Sequence, residues 1–448
     1  MTPTAETLAT ASTSRKRRFR MAATLLLTTA GLIGGYYGFW RYHLKRFTVV
    51  APGIFYRVAQ PTEFGLSHAA RHHGVRTVVS LQLFDFRLYR GVIDPGKPDG
   101  DKESVYANKI GMRHIQWPMG DEQCWPWPDP WELEEFFRLV DDPSNRPVMI
   151  HCMGGRHRTG TFSALYRLEY DRWTPDAALD EMYTYSFGAP IPAQERHLRT
   201  YVPRPLPTSE EWPAVASAFG VSPEDSPALV VPTLAYRIRN EDDDGPLRKA
   251  LAKSIQDEQP YSLALAARVV NRVDDPLLST IVPLARAVLE SRLANERETI
   301  AATTLIADFG SPADQKYLLE LLQEQSQAPA PTPFYEALVC GITNRYTPNR
   351  LAFLRPLLDD HRRRIGPNNS RYAYADTAMI RVAAITDEVQ ILGYIDEVLV
   401  ADGPKNAIAW FKQHAEAEQL RQLLPPLGPQ VAQEGEGPLQ EDLSKMRR

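Results

Sequence analysis

The chain has 448 residues, 43% hydrophobic and 24% charged, which suits two or three globular domains and excludes collagen-like, coiled-coil and wholly disordered proteins. Three cysteines are too few for a disulfide-rich secreted scaffold, and no clustered Cys/His set predicts a metal site. The net charge is −4, but residues 1–46 carry +7, so the remainder carries −11 and is not expected to bind nucleic acid.

The N-terminal residues indicate a membrane anchor. Residues 1–20 are rich in Thr, Ser and Ala, end in a basic cluster, and are expected to be disordered. Residues 21–40 carry no charge and, as a helix, would span about 30 Å, the thickness of the hydrocarbon layer. A cleaved signal peptide and a buried soluble helix are alternatives, but the length and basic flanks favour an uncleaved transmembrane helix. Five basic residues precede it and three follow, which predicts a single-pass protein with a cytoplasmic N-terminus and its body outside.

Residues 47–205 alternate between strand and helix patterns. The predicted strands are 54–58, 77–84, 112–117 and 147–150, and the predicted helices are 64–73, 130–140, 158–170 and 175–185. Residues 85–111 are rich in glycine and proline and predict a loop insertion. This alternation is typical of an α/β domain in which helices flank a central, mainly parallel sheet.

A phosphate-binding loop is predicted where the fourth strand ends, in the sequence HCMGGRHRTG at residues 151–160. Five residues separate Cys152 from Arg158, and they can form a loop whose N–H groups all point inward. Such a loop at a helix N-terminus binds phosphate oxygens. Gly154 and Gly155 permit the unusual dihedral angles and the close approach that this loop requires.

The reactive groups of this loop can be assigned from their chemistry. Its positive field favours a Cys152 thiolate, and the Arg158 guanidinium can hold two phosphate oxygens. Thr159 can hydrogen-bond the thiolate, and His151 is expected to order the loop from behind. The predicted phosphate-binding residues are Met153, Gly154, Gly155, Arg156, His157 and Arg158. An isolated cysteine would more often be structural, but the fixed offsets of Gly, Arg and Thr favour catalysis.

The loop resembles the C-x5-R signature of cysteine-dependent protein tyrosine and dual-specificity phosphatases. Residues 55–61 (FYRVAQP) are similar to the entry strand of compact bacterial, plant and fungal members, and residues 173–182 (WTPDAALDEM) to the helix after the loop. The resemblance covers about residues 50–200. It implies hydrolysis of phosphate esters through a phosphocysteine intermediate, without a metal or other cofactor.

The resemblance also implies a general acid on a loop before the cysteine. Asp121 lies 31 residues before Cys152 and is the expected acid, with Glu122 and Asp129 as alternatives. Cys124 either forms a protective disulfide with Cys152 or, more simply, is a loop cysteine.

The sequence indicates the substrate class less clearly than it indicates the type of reaction. The GRHR stretch at 155–158 resembles the GKHR of plant and fungal members that attack inositol pyrophosphates, and Arg156 suits a polyanionic substrate. However, Met153 stands where phosphoinositide-cleaving relatives often carry a basic residue, and the 85–111 insertion holds five charges of each sign. We therefore expect phosphotyrosine or general phosphoprotein substrates, with inositol phosphates or phosphoinositides as the alternative. A non-catalytic phospho-ligand-binding or scaffold protein is the alternative of another class.

Residues 206–448 indicate a second unit. Residues 206–232 are rich in proline and serine and predict a linker. Residues 233–424 show paired helices typical of a HEAT-like solenoid, with an irregular helical bundle as the alternative. This domain could bind a protein partner. Residues 425–448 predict a disordered tail.

Overall fold

The computed structural model describes residues 5–82, 84–90, 100–117, 128, 130–185, 192–292, 294–365, 373–375, 377–378 and 380–381. For residues 5–20 only the backbone is described. The predicted tail at 425–448 lies outside these residues.

A five-stranded sheet forms the centre of the first domain. Its strands are Thr48–Ala51 (β1), Phe55–Ala59 (β2), Thr77–Ser80 (β3), Arg113–Gln116 (β4) and Val148–Cys152 (β5). The strand order is β1-β2-β5-β3-β4; β1 is antiparallel to β2 and every other pair is parallel. The predicted mainly parallel sheet is confirmed, with an antiparallel edge strand that the sequence pattern did not reveal. All five residues of the central strand β5 are buried, which explains its apolar start.

Helices cover both faces of this sheet. They are Glu63–His73 (α2), Glu103–Lys109 (α3), Pro130–Asp141 (α4), His157–Glu169 (α5), Pro175–Thr184 (α6) and Pro192–Arg199 (α7). One core cluster joins the sheet to α4, α5, α6 and α7, and a second joins it to α2 and α3. Successive residues of β5 enter alternate clusters, because neighbouring side chains of a strand point to opposite faces.

The 85–111 segment differs from the predicted loop insertion. Its last third forms α3, in which Glu103 and Ala107 are buried against the domain. The described residues before α3 are joined to it by an isolated bridge between Arg87 and Lys102. A seven-residue helix preceded by a Gly/Pro-rich stretch is too short to show a clear helical period, which is why the pattern missed it.

A single long helix, Ala5–His43 (α1), precedes the sheet, so its backbone is helical over most of the segment that was expected to be disordered. Its Met21–His43 part, with mean hydropathy 1.2, is long and apolar enough to cross a membrane, a test that an N-terminal signal sequence also meets.

The last turn of α1 packs directly against the first domain. The Trp40 and His68 rings lie 4.6 Å apart, and His43 Nδ1 lies 2.6 Å from the Thr62 hydroxyl. The next residue, Leu44, is buried in the core cluster of α2 and α3. No extended linker therefore separates α1 from the sheet domain.

Helices make up the described part of the second domain. They are Trp212–Ala218 (α8), Pro227–Arg239 (α9), Pro246–Gln256 (α10), Ser262–Val269 (α11), Leu278–Ser291 (α12), Glu296–Phe309 (α13), Pro312–Ser326 (α14), Pro333–Thr343 (α15) and Leu351–Leu354 (α16). Gly310 and Ser311 separate α13 from α14, and Ser311 forms a capping box at the start of α14. Helix α13 packs against α11, α12 and α15. The HEAT-like assignment stays a prediction.

The 206–232 segment is not an open linker. It contains α8 and the start of α9, and Trp212, Val215 and Val231 belong to the core of the helical domain. Pro227 is the first residue of α9, and Pro213 is the second residue of α8. Two of the prolines that suggested a linker, Pro213 and Pro227, therefore lie in first turns of helices.

A buried ionic cluster joins the two domains at the C-terminal end of α5. The Glu169 carboxylate accepts hydrogen bonds from Arg204 Nε (2.6 Å) and the Arg204 backbone N–H (2.9 Å). Arg268 Nη2, on α11, lies 3.8 Å from the same carboxylate and donates to the Arg204 carbonyl at 2.9 Å. Burial would raise the pKa of Glu169, but the arginines, Arg204 foremost, hold it below its ordinary value. The helical domain thereby fixes the far end of α5.

Deleting residues 1–46 should destabilise the protein more than deleting residues 1–38. The longer deletion removes Trp40, His43 and Leu44, which pack on the sheet domain. We expect its melting temperature to be lower by about 5 °C or more in differential scanning calorimetry. Equal melting temperatures would show that the end of α1 does not stabilise the domain.

Candidate active site

The predicted phosphate-binding loop joins the middle strand of the sheet to a buried helix. Strand β5 ends at Cys152 and α5 begins at His157. The loop therefore lies at the carboxyl edge of the parallel strands, where ligands bind in open α/β sheets. Cys152 is 7% exposed and forms no disulfide with a described residue.

The carbonyl groups of this loop all accept hydrogen bonds from the protein. The donors are Gln60 N to Met153 O (3.2 Å), Arg46 Nη1 to Gly154 O (2.8 Å), Arg57 Nη2 to Gly155 O (2.9 Å) and Gly160 N to Arg156 O (2.7 Å). These donors come from the segment after α1, from β2 and its following loop, and from α5.

The backbone N–H groups of the same four residues differ from the carbonyl groups in their hydrogen bonding. Within the described part of the chain, the backbone N–H groups of residues 153–156 donate no hydrogen bond. A run of backbone N–H groups of this kind, ending at a helix N-terminus, is an anion-binding arrangement. The loop can therefore surround the oxygens of a phosphate next to Cys152.

Of the two loop glycines, only Gly155 has a backbone conformation and surroundings that require glycine. Gly155 has φ +59°, and a Cβ there would lie 2.7 Å from the Ala59 backbone nitrogen at the end of β2. At Gly154 a Cβ would meet no atom closer than 3.6 Å, and its φ is not positive. The close approach predicted for both glycines thus applies to Gly155 alone.

Arg57, on β2, is a buried cation beneath the loop that the motif search did not single out. It is 1% exposed, and its guanidinium carbon lies 4.2 Å from the centre of the Tyr185 ring. Burial lowers the pKa of Arg57, against the opposing influence of Glu181, Tyr185 and Cys152. Its position in the FYRVAQP stretch was the available sequence signal.

Arg158 and Thr159 occupy the first turn of α5. Arg158 Nη1 donates to the Leu81 carbonyl at 2.9 Å, which holds the guanidinium beside the end of β3. The Thr159 hydroxyl is fully buried and has no hydrogen-bond partner among the described residues, Cys152 included. The bond expected from Thr159 to the thiolate is therefore not formed in this structure.

His151 lies on β5, next to Cys152, and its ring contacts a buried carboxylate. Its Nε2 lies 2.6 Å from Glu103 Oε1, and Gln60 Nε2 donates to Glu103 Oε2 at 2.9 Å. His114 Nε2 is 3.9 Å from the same carboxylate. Burial would raise the pKa of Glu103, but His151, through its charge and hydrogen bond, lowers it below the ordinary value. Sequence reasoning missed Glu103 because it assigned this segment to a loop.

The remaining predicted residues line the outside of the loop or fall outside the description. Met153 and Arg156 are exposed and His157 is half-buried. Asp121, its alternatives Glu122 and Asp129, and Cys124 all lie outside the described residues. Among the described residues, no three His, Cys, Asp or Glu side chains are grouped to hold a metal ion.

Comparisons with known proteins find similarity in the same region of the chain. Residues 48–200 match the family described as a DSP-PTPase phosphatase fused to NAD+ kinase. The dual specificity protein phosphatase TpbA of Pseudomonas aeruginosa is 48% identical over 42 residues, which is 9% of this chain and 19% of that protein. The chain thus spans about a fifth of the length of the curated relatives it matches.

Solved structures to which the chain is similar include those of Siw14, PTPMT1 and P. aeruginosa TpbA. The catalytic core of Siw14 is 19% identical, with a TM-score of 0.30, over 39% of this chain and 92% of that one. PTPMT1 in complex with PI(5)P is 17% identical, with a TM-score of 0.27, over 34% and 91%. P. aeruginosa TpbA is 26% identical, with a TM-score of 0.24, over 31% and 72%.

Gly155→Ala should weaken anion binding far more than the matched change Gly154→Ala. An alanine at 155 combines a strained positive φ with a clash against the Ala59 backbone, whereas an alanine at 154 meets ordinary contact distances. Calorimetric titration with inorganic phosphate should show a dissociation constant raised about tenfold or more for Gly155→Ala. A similar loss in both variants would contradict the assigned roles of the glycines.

Glu103→Gln should destabilise the protein in a pH-dependent manner. Because the folded state lowers the pKa of Glu103, its carboxylate stabilises the fold above the unfolded value of about 4.3, and that contribution is lost as pH falls further. The melting temperature of Glu103→Gln should therefore lie below that of the parent at pH 7, and the gap should narrow below about pH 4. A gap that does not change with pH would argue against a charged Glu103.

Proposed function

We propose that this chain, whose residues 48–200 belong to the cysteine-dependent dual-specificity phosphatase family, hydrolyses phosphate monoesters with Cys152 as nucleophile. The observation that carries the proposal is the loop after β5. Four consecutive carbonyl groups accept hydrogen bonds from the protein, while the N–H groups of the same residues donate to no described residue and can donate to a bound anion. This arrangement stands directly beside the cysteine.

The proposed reaction has two displacements at phosphorus. The Cys152 thiolate attacks the phosphorus atom, the S–P bond forms, and the bond from phosphorus to the ester oxygen breaks. Water then attacks the phosphocysteine, the S–P bond breaks, and inorganic phosphate and the thiolate are regenerated. The loop N–H groups and Arg158 stabilise the negative charge of the phosphoryl oxygens in both steps.

The leaving oxygen needs a proton in the first step, and the attacking water must lose one in the second. We assign both tasks to Asp121, on the resemblance of its position to that of the family's acid. His151 takes no proton in this scheme; it positions the loop through its contact with Glu103.

Phosphotyrosine and other phosphoprotein substrates are the first proposed class. Inositol phosphates are the second, favoured because Arg156 is exposed on the loop. Its positive charge is also among the causes that lower the pKa of Lys45 and of Arg46, in the segment after α1. Intact Cys152 and Arg158 favour an enzyme over a protein that only binds phosphorylated ligands.

The proposal includes a membrane anchor. The Met21–His43 part of α1 presents large apolar side chains such as Leu25, Leu27 and Leu32 outward, each about two-thirds or more exposed. Such a surface is suited to lipid. Five basic residues precede residue 21 and three lie within residues 41–46, and on this charge difference we assign the catalytic domain to the outer side.

Cys152→Ser should abolish turnover of p-nitrophenyl phosphate while the protein still folds and binds phosphate. A serine hydroxyl stays protonated in a loop that favours a thiolate, so the nucleophile is lost but the N–H groups are not. Turnover and phosphate binding by calorimetry should be measured on the same preparation. Residual activity of a few per cent or more would refute the nucleophile assignment.

Asp121→Asn should lower kcat by about 10²–10⁴ for esters with poor leaving groups, because the general acid is removed. The loss should be smaller for p-nitrophenyl phosphate, whose leaving group needs little protonation. Glu122→Gln is the matched control. If Glu122→Gln, and not Asp121→Asn, shows this dependence on the leaving group, the acid is Glu122.

A further inference from the structure

Three cations from two distant parts of the chain meet beside the phosphate-binding loop. Lys45 and Arg46 lie two and three residues after the end of α1, and Arg156 lies within the loop itself. Arg46 Nη1 donates to the Gly154 carbonyl at 2.8 Å, and the Lys45 carbonyl accepts from Ala59 N at 2.8 Å. The segment after α1 is therefore fixed to the rim of the loop.

The backbone adopts a rare conformation to bring this segment there. Arg46 has φ +58°, in the left-handed region that a side chain other than glycine seldom occupies. Such conformations persist only where the surroundings hold them, and they concentrate at functional sites. Here the hydrogen bond from Arg46 to Gly154 and the bond between Lys45 and Ala59 hold the turn.

No carboxylate of the described residues lies within ion-pairing distance of Lys45, Arg46 or Arg156. Burial and then the charges of neighbouring arginines lower the pKa of Lys45, and burial and then the charge of Arg156 lower the pKa of Arg46. Mutual repulsion of this kind is relieved when an anion binds among the charges.

We propose that Lys45, Arg46 and Arg156 form a second anion subsite, which binds a further phosphate group of a substrate whose first phosphate occupies the loop at Cys152. The proposal rests on the proposed phosphatase function and specifies its substrate class as a compound with at least two phosphate groups. Because Lys45 lies two residues beyond the candidate membrane span, the second phosphate can belong to a lipid headgroup or to a soluble polyphosphate.

The first test uses inhibition of p-nitrophenyl phosphate hydrolysis by the full chain in neutral detergent micelles. Tripolyphosphate should inhibit at a concentration about tenfold lower than inorganic phosphate does, because it reaches both subsites. Lys45→Gln and Arg156→Gln should each remove most of that advantage, and Lys45→Arg should keep it. Lys249→Gln, an exposed lysine on α10 of the helical domain, is the matched control and should behave as the parent chain.

An advantage of tripolyphosphate that survives both Lys45→Gln and Arg156→Gln would overturn the subsite. An advantage lost equally in Lys249→Gln would also overturn it, since that result reports the charge of the whole surface.

Calorimetric binding of tripolyphosphate and phosphate to the Cys152→Ser chain separates the subsite from catalysis. If the parent chain shows no turnover but the binding advantage still depends on Lys45, the proposed function fails and the subsite stands. If turnover is normal and the binding advantage is absent, the subsite fails and the proposed function stands.

Bilayer nanodiscs distinguish the two sources of the second phosphate. The full chain in phosphatidylcholine discs containing a bisphosphorylated phosphatidylinositol should show inhibited p-nitrophenyl phosphate hydrolysis, relieved by Lys45→Gln, if the ligand is a lipid headgroup. Inhibition by tripolyphosphate alone supports the subsite with a soluble ligand. Equal inhibition by phosphatidylserine discs of matched charge would overturn the proposal, because it would report diffuse attraction to a charged surface.

Discussion

A backbone loop that turns its N–H groups toward one side must turn its carbonyl groups toward the other, and the residues around Cys152 are arranged to meet this constraint. Buried carbonyls need donors. Arg46 and Arg57 supply two of them, from separate parts of the chain. Both donors are cations, so the groups that satisfy the outward carbonyls also add positive charge to an anion-binding loop. Structural support and electrostatics here come from the same side chains.

Helix α5 connects this loop to the rest of the molecule. Ten of its thirteen residues are buried, so the helix is held along its whole length by the core. Its first turn carries Arg158 and Thr159, and its last residue, Glu169, is bonded by Arg204 and approached by Arg268. A buried carboxylate left without these cations would be costly. The helical domain is therefore part of what keeps α5, and with it the loop, in place.

The chemistry of the site was predictable because it is local in sequence. The spacing of Cys152, the glycines and Arg158 lies within one strand–loop–helix unit, whose geometry is set by general rules for helix N-termini. The supporting residues were not predictable, because their contacts span 48 residues for Glu103 and His151, 98 for Arg57 and Gly155, and 108 for Arg46 and Gly154. The predicted boundaries were wrong at α3 and at α8 because proline and glycine were interpreted as signs of open loops. At both places these residues precede a short helix or lie in its first turn.

The docked end of α1 has a mechanical consequence. A span joined to its domain by a flexible tether can tilt freely, and the tether absorbs the motion. Here Trp40 and His43 fix the helix to α2, and three residues after the helix ends Arg46 is bonded to the loop at Gly154. For a helix seated in a bilayer, tilt follows the hydrophobic thickness. Because the described residues include no extended linker between α1 and the loop, a change in the tilt of a membrane-seated α1 would be passed on to the contact between Arg46 and Gly154.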